Sequence, residues 1–208
     1  IYFFFFTYLA AVVYSQTLLF LWFIQNGISF QKIFSYFLCM YVSALGIPLL
    51  LSKWRVSSRN SLMLGIVTSA LAVALASFLQ LGAVLYLVAF FFGINMIFFW
   101  VVYDTLYFKY SESHEYGFKS GAYFLIGPLL AVVLSPMSGI IVDKFGFVFL
   151  FMTSMIFYVV PFIFVFFLPN VEFEFKTREA LFRIEHPWLV FFLGYLFMLT
   201  FNIIPLFT

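Results

Sequence analysis

Residues 84–102 read VLYLVAFFFGINMIFFWVV. Apart from Gly93 and Asn95 every side chain in this run is apolar or aromatic, so a helix built from it is hydrophobic on all sides. At 1.5 Å per residue such a helix crosses a bilayer core about 30 Å thick, which needs roughly 20 apolar residues. A strand of a transmembrane barrel would instead alternate apolar and polar residues over about 10 positions. Comparable runs recur at about 2–24, 32–52, 61–80, 83–106, 119–141, 146–168 and 187–208, which predicts seven spans. The composition fits: of 208 residues 66% are hydrophobic, 25% aromatic and 9% charged, against about a quarter charged in soluble domains. The expected fold class is all-α, a polytopic membrane helical bundle.

The segments between the spans carry the charge. They read QNGIS, KWRVSSRN, LQLG, KYSESHEYGFK, VDKFG and PNVEFEFKTREALFRIEHP. Lys53, Arg55, Arg59, Lys109, Lys119, Lys176, Arg178 and Arg183 fall on one side of an alternating chain, and only Lys32 and Lys144 on the other. The positive-inside rule then places the N-terminus and the 170–186 segment in the cytoplasm, and a cell (plasma) membrane is the expected location. The linker, with Glu172, Glu174, Glu179 and Glu185 among its bases, reads either as a short interfacial helix around TREALFRIEH or as a solvated connector. The chain opens on Ile1 inside an apolar run, with no charged segment before it, and reads as a fragment cut within its first helix. Cys39 is the single cysteine, and an apolar run makes it a small packing residue rather than a ligand. His114 and His186 sit in loops, isolated from other donors, so no metal site, haem or other cofactor is expected. No P-loop or GxGxxG is present, and the basic residues mark membrane boundaries rather than a nucleic-acid surface.

Small residues four apart in span three, Gly65 with Ser69 and Ala72 with Ala76, let helix backbones approach closely where lipid gives no hydrophobic drive for association. Several stretches then converge. NGISFQKIF follows span one, span two ends at Pro48 before a basic turn, span four ends in FFW, and span five carries Gly127-Pro128 and SPMSGIIVDKFGF. Together they resemble the N-terminal half of a major facilitator superfamily transporter. That resemblance implies a six-helix bundle at 1–168 built as two inverted three-helix repeats, a cytoplasmic linker at 169–186, and at 187–208 the first helix of a second bundle that the rest of the chain would supply. The turn after span two, PLLLSKWRVSSRN, keeps the family's bases but lacks its acid and glycine, and Ile140 stands where the helix-five signature has a second glycine. The resemblance makes Pro48, Lys53, Arg55 and Arg59, with Pro136, Gly139, Asp143, Lys144 and Gly146 in the equivalent turn, structural or gating residues. Gly139 and Gly146 are expected to turn the backbone and bring helices five and six together, with Asp143 and Lys144 at the membrane exit.

Polar groups at depth are the candidates for binding. Trp100, Tyr103, Asp104 and Tyr107 fall within about 100° of arc on an α-helix. They form one aromatic and acidic stripe, which either faces a central cavity or belongs to an interfacial belt. Asn95 lies about 140° around from Trp100 by the same periodicity, which separates the two. It either bonds a neighbouring helix or contacts a solute. Gln16 in span one and Asn202 in span seven are the remaining polar groups, and the resemblance implies that spans one, four and seven surround one cavity where Gln16, Asn95 and Asn202 converge. The implied activity is secondary active transport of a small solute by alternating access, with a coupling proton or ion and the lipid bilayer as the other expected partners. A channel or non-transporting scaffold is the alternative. An intramembrane enzyme fits less well, since Asp104 stands alone and both histidines are distant, so no catalytic residue is expected.

Overall fold

The computed structural model describes residues 1–51, 55–78, 82–110 and 116–174, the side chains of 116–120 and 122 excepted. The expected seventh span with Asn202, the linker from 175 with Lys176, Arg178, Arg183 and His186, and also Lys53 and His114, lie outside the described residues. The described chain is mostly helical, and five stretches are long and apolar enough to cross a membrane: Tyr2–Gln25, Phe30–Leu50, Ser58–Ala76, Val84–Lys109 and Tyr123–Phe167.

The first stretch is two helices, α1 (Tyr2–Gln16) and α2 (Leu19–Gln25), joined through Thr17 and Leu18. Thr17 Oγ1 donates to Val13 O at 2.6 Å, the back-bonding that bends a helix. Gly27, at φ 69°, ends α2; the Gly27 and Ile28 amides bond back to Ile24 and Phe23, a left-handed cap that glycine adopts at least cost. Helix α3 (Phe30–Leu50) is the second span and α4 (Ser58–Ala76) the third. The fourth span joins α5 (Val84–Asn95), a π-helical turn (Met96–Val101) and α6 (Val102–Lys109).

The last stretch, α7 (Tyr116–Phe164) continued by a 3-10 turn (Val165–Phe167), is 45 residues long from Tyr123, more than twice what a bilayer needs. It is broken at Gly146, whose φ of 82° and ψ of 170° fall in a region that only glycine enters freely. The two arms double back on each other, as their contacts with the first span require. Tyr123 stacks on Phe5 and Ser138 Oγ donates to Tyr14 O at 2.9 Å, so 116–145 runs parallel to α1. Beyond the break Phe147 stacks on Trp22, Tyr158 meets Tyr8, and Phe164 meets Phe3, so 147–167 returns antiparallel. The spans expected at 119–141 and 146–168 are these two arms. Gly139 behaves otherwise than expected. It lies inside the continuous helix of the first arm, with open space where a Cβ would stand, so it makes neither a turn nor a close approach; Gly146 turns the chain but has no close neighbour either.

Both arms of α7 and the rings of Phe99 and Tyr103 in the fourth span pack on α1, whose Phe5, Tyr8 and Ala11 are almost wholly buried. Close helix contact occurs at two glycines. A Cβ on Gly65 would stand 2.7 Å from Phe99 Cβ, and one on Gly93 would stand 2.5 Å from Met40 O, so α4 and α3 press directly on the fourth span. Among the small residues of span three, Ala72 and Ala76 are fully buried. The all-α expectation omits one feature. Strands β1 (Arg55–Ser57) and β2 (Glu172–Glu174) pair antiparallel, Val56 opposite Phe173, and tie the turn after span two to the exit of span six.

Candidate functional site

A half-open cavity of about 400 Å³ lies between spans one, two and four. Phe20, Phe37, Phe92 and Trp100 wall it, and Gln16 and Asn95 supply polar groups. Among the described residues no charged side chain lines it.

The π-helical turn explains why Asn95 and Trp100 share this cavity although α-helical periodicity places them about 140° apart. Hydrogen bonds spanning five residues widen the turn by about one residue, and Trp100, within it, follows by five the Asn95 that caps its start. The two side chains therefore return to the same side. The expected stripe is divided along the helix axis: Trp100 lines the cavity, whereas Tyr103, Asp104 and Tyr107, nearer the end of the span, do not. Those three form an aromatic box at the N-terminal end of the bundle. Tyr103 and Tyr123 lie nearly parallel to the Phe5 ring at 4.5 and 4.6 Å. Tyr107 meets Tyr2 edge-on at 5.7 Å, and Tyr123 Oη donates to Asp104 Oδ1 at 2.8 Å. Asp104 thus joins span four to span five.

Beside the cavity a hydroxyl network fixes the amides. Ser15 Oγ donates to Ala11 O at 2.8 Å, which commits its proton. The Tyr158 hydroxyl, 3.1 Å away, therefore donates to Ser15. Ser69 Oγ donates to Tyr158 Oη at 3.0 Å, and Gln16 Nε2 donates to both Tyr158 Oη at 3.3 Å and Ser69 Oγ at 3.4 Å. Reversing the Gln16 amide would set its oxygen against two oxygens whose protons are already used. Asn95 is fixed more simply: Gly65 O, 2.7 Å away, only accepts, so the facing atom is Nδ2, which also donates to Tyr8 Oη at 2.7 Å. Each amide therefore spends its nitrogen on the bundle and keeps its oxygen. Neither Gln16 Oε1 nor Asn95 Oδ1 has a hydrogen bond among the described residues.

The turn residues occupy the ends. Pro48 is buried within α3, Pro136 is exposed within the first arm, and Asp143 and Lys144 are exposed beside Gly146. Arg55 Nε lies 3.1 Å from Glu174 Oε1 across the β1–β2 pair, and an Arg59 guanidinium nitrogen donates to Leu168 O at 3.1 Å. Among the described residues no group of three or more His, Cys, Asp or Glu side chains is placed to hold a metal.

Sequence reasoning selected Gln16, Asn95 and Trp100 but missed the Tyr158, Ser15 and Ser69 hydroxyls that orient Gln16. The signal available was a hydroxyl at membrane depth, where a polar group needs a protein partner. No family model, no curated protein and no solved structure matches the chain.

Proposed function

We propose that the chain forms a six-span half of a secondary transporter of the major facilitator type, moving a small solute by alternating access rather than catalysing a reaction. The observation that carries this reading is the pattern of helix pairing around the cavity. Spans two and four pack together, as do spans five and one; spans three and four pack together, as do spans six and one. Exchanging one with four, two with five and three with six leaves this pattern unchanged, as two inverted three-span repeats require. Spans one and four, equivalent under the exchange, are also the two with an interrupted helix: the Thr17–Leu18 joint and the π-helical turn. Both interruptions border the cavity. Irregular backbone at membrane depth is tolerated where it lines a cavity, and π-turns concentrate at functional sites.

In this reading the end holding the N-terminus, β1 and β2 faces the cytoplasm of a plasma membrane, and a second bundle closes the other side of the solute path. Arg55 and Arg59 sit at that end, in keeping with the positive-inside rule. Asp104 anchors the aromatic box and takes no part in proton coupling, because its carboxylate is held by Tyr123 outside the cavity.

The test is uptake of a mixed metabolite pool by the full-length gene product in proteoliposomes, with and without a proton gradient. Expected are saturable uptake and counterflow, with uptake by Asp104→Asn within about twofold of wild type. Flux that neither saturates nor shows counterflow would replace the transporter with a channel. Gradient-driven uptake abolished in Asp104→Asn would return that carboxylate to the coupling mechanism.

A further inference from the structure

Resting on the transporter reading, we infer that the cavity receives an uncharged solute with a flat apolar body and N–H or O–H donors at one edge. The orientation of the two amides carries this. Gln16 Oε1 and Asn95 Oδ1 are amide oxygens that the bundle leaves unused on the cavity wall, where the Tyr36 hydroxyl, able to donate or accept, also stands. Both are acceptors, so the complementary solute group is a donor. The Trp100 indole N–H also has no hydrogen bond among the described residues, and it suits a carbonyl beside that donor.

Charge is excluded by what surrounds these groups. A carboxylate entering the cavity would lose its hydration among aromatic rings with no opposite charge among the described residues to replace it, and an ammonium, which ring faces and amide oxygens attract, finds no carboxylate among them either. Asp104, the nearest acid along the span, is occupied by Tyr123 and lies outside the cavity wall. Phe20, Phe37, Phe92 and Trp100 favour a flat body, since aromatic faces pack in offset or edge-on contact. A volume of about 400 Å³ lies at the small end of the roughly 300–1,000 Å³ range of small-molecule sites. A lipid acyl chain is the competing occupant, but it would cover both amide oxygens and the indole N–H without bonding any of them.

Four probes of one shape separate these possibilities: benzamide (neutral, with donors), methyl benzoate (neutral, without donors), benzoate and benzylammonium. Labelled benzamide is dialysed against the full-length protein in nanodiscs, with empty nanodiscs measuring partition into lipid. Saturable benzamide binding is expected, with the other three at least about tenfold weaker as competitors. Gln16→Met should weaken benzamide about tenfold, the factor that 1.4 kcal/mol represents. Trp100→Phe, which keeps the ring and removes the N–H, should weaken it severalfold, and it carries the test if Gln16→Met does not fold. Displacement of benzamide by benzoate or benzylammonium at equal concentration would overturn the charge argument. Equal binding of methyl benzoate would overturn the donor argument, and absence of saturable benzamide binding would overturn both and favour a lipid-filled cavity. Counterflow of a charged metabolite would sink the solute class while leaving transport in place. Benzamide binding without any counterflow would sink transport and leave the site.

Discussion

Tyr158 gathers three hydrogen bonds on one oxygen, donating to Ser15 and accepting from Ser69 and Gln16. Its substitution by Phe leaves the Gln16 amide nitrogen with one weak partner and the Ser69 hydroxyl with none of its former acceptors. Leaving buried polar groups unsatisfied costs about 1–3 kcal/mol, so Tyr158→Phe should lower the unfolding midpoint in detergent by several degrees. Tyr14→Phe is the control. Among the described residues Tyr14 Oη bonds only Thr153 Oγ1, at 3.1 Å, and Thr153 keeps its own bond to Phe149 O at 2.9 Å, so the loss should stay near 0.5 kcal/mol. Equal losses for the two would mean that the network does not orient Gln16. Why the sequence pointed to Gln16 and Asn95 but not to Tyr158 has a physical reason. An amide among phenylalanines is conspicuous, whereas Tyr158, within MIFYVVPF, has the same ring and periodicity as its neighbours, and only the third dimension brings its hydroxyl to Ser15.

At the scale of helices, two glycines that look alike in GIIVDKFGF have opposite fates. Gly146 sits at φ 82° and ψ 170° and reverses the chain, whereas Gly139 is an ordinary helical residue with open space around it. Gly146→Ala should cost about 1–3 kcal/mol through backbone strain. Gly139→Ala should be neutral or should stabilise by up to about 1 kcal/mol, since alanine is the better helix former. Chemical unfolding of both variants in one detergent measures the contrast, and similar values would place the reversal elsewhere. Gly65→Ala belongs to the same scale. Its Cβ would stand 2.8 Å from Phe99 N, backbone that cannot yield by a rotamer change, so α4 must move off the π-helical turn at a cost of about 1–3 kcal/mol. Spans were legible because apolar length over about 20 residues overrides local detail. The π-helical turn was not, since hydropathy repeats carry no mark of a hydrogen bond spanning five residues, and that single turn moved Asn95 and Trp100 onto one cavity. The β1–β2 pair was equally hidden: Arg55-Val56-Ser57 and Glu172-Phe173-Glu174 are too short to announce strands, and they pair only because spans two, three and six end side by side.

That pair makes a statement about the whole molecule. It closes the bundle end where the third span begins and the sixth stops. Ser58 N donates to Val171 O at 2.8 Å, Val171 N donates to Ser58 Oγ at 2.9 Å, and Ser58 Oγ donates to Pro169 O at 3.1 Å. The exposed Arg55–Glu174 ion pair adds little, about 0–1 kcal/mol at such a surface, so the backbone bonds hold the clasp. Both strands belong to the same six spans. If alternating access proceeds by rocking one bundle against another, the clasp travels within a rigid body and never opens during the cycle. Locking it should then be harmless. With Cys39→Ser removing the thiol of these six spans, Val56→Cys and Phe173→Cys face each other across the register and should form a disulfide on oxidation. Uptake by the oxidised protein is expected to match the reduced protein within about twofold. A strong and reversible loss of uptake on oxidation would mean that the end of span six must separate from the turn after span two during transport, and rigid-body rocking of these six spans would have to be abandoned in favour of motion inside the bundle.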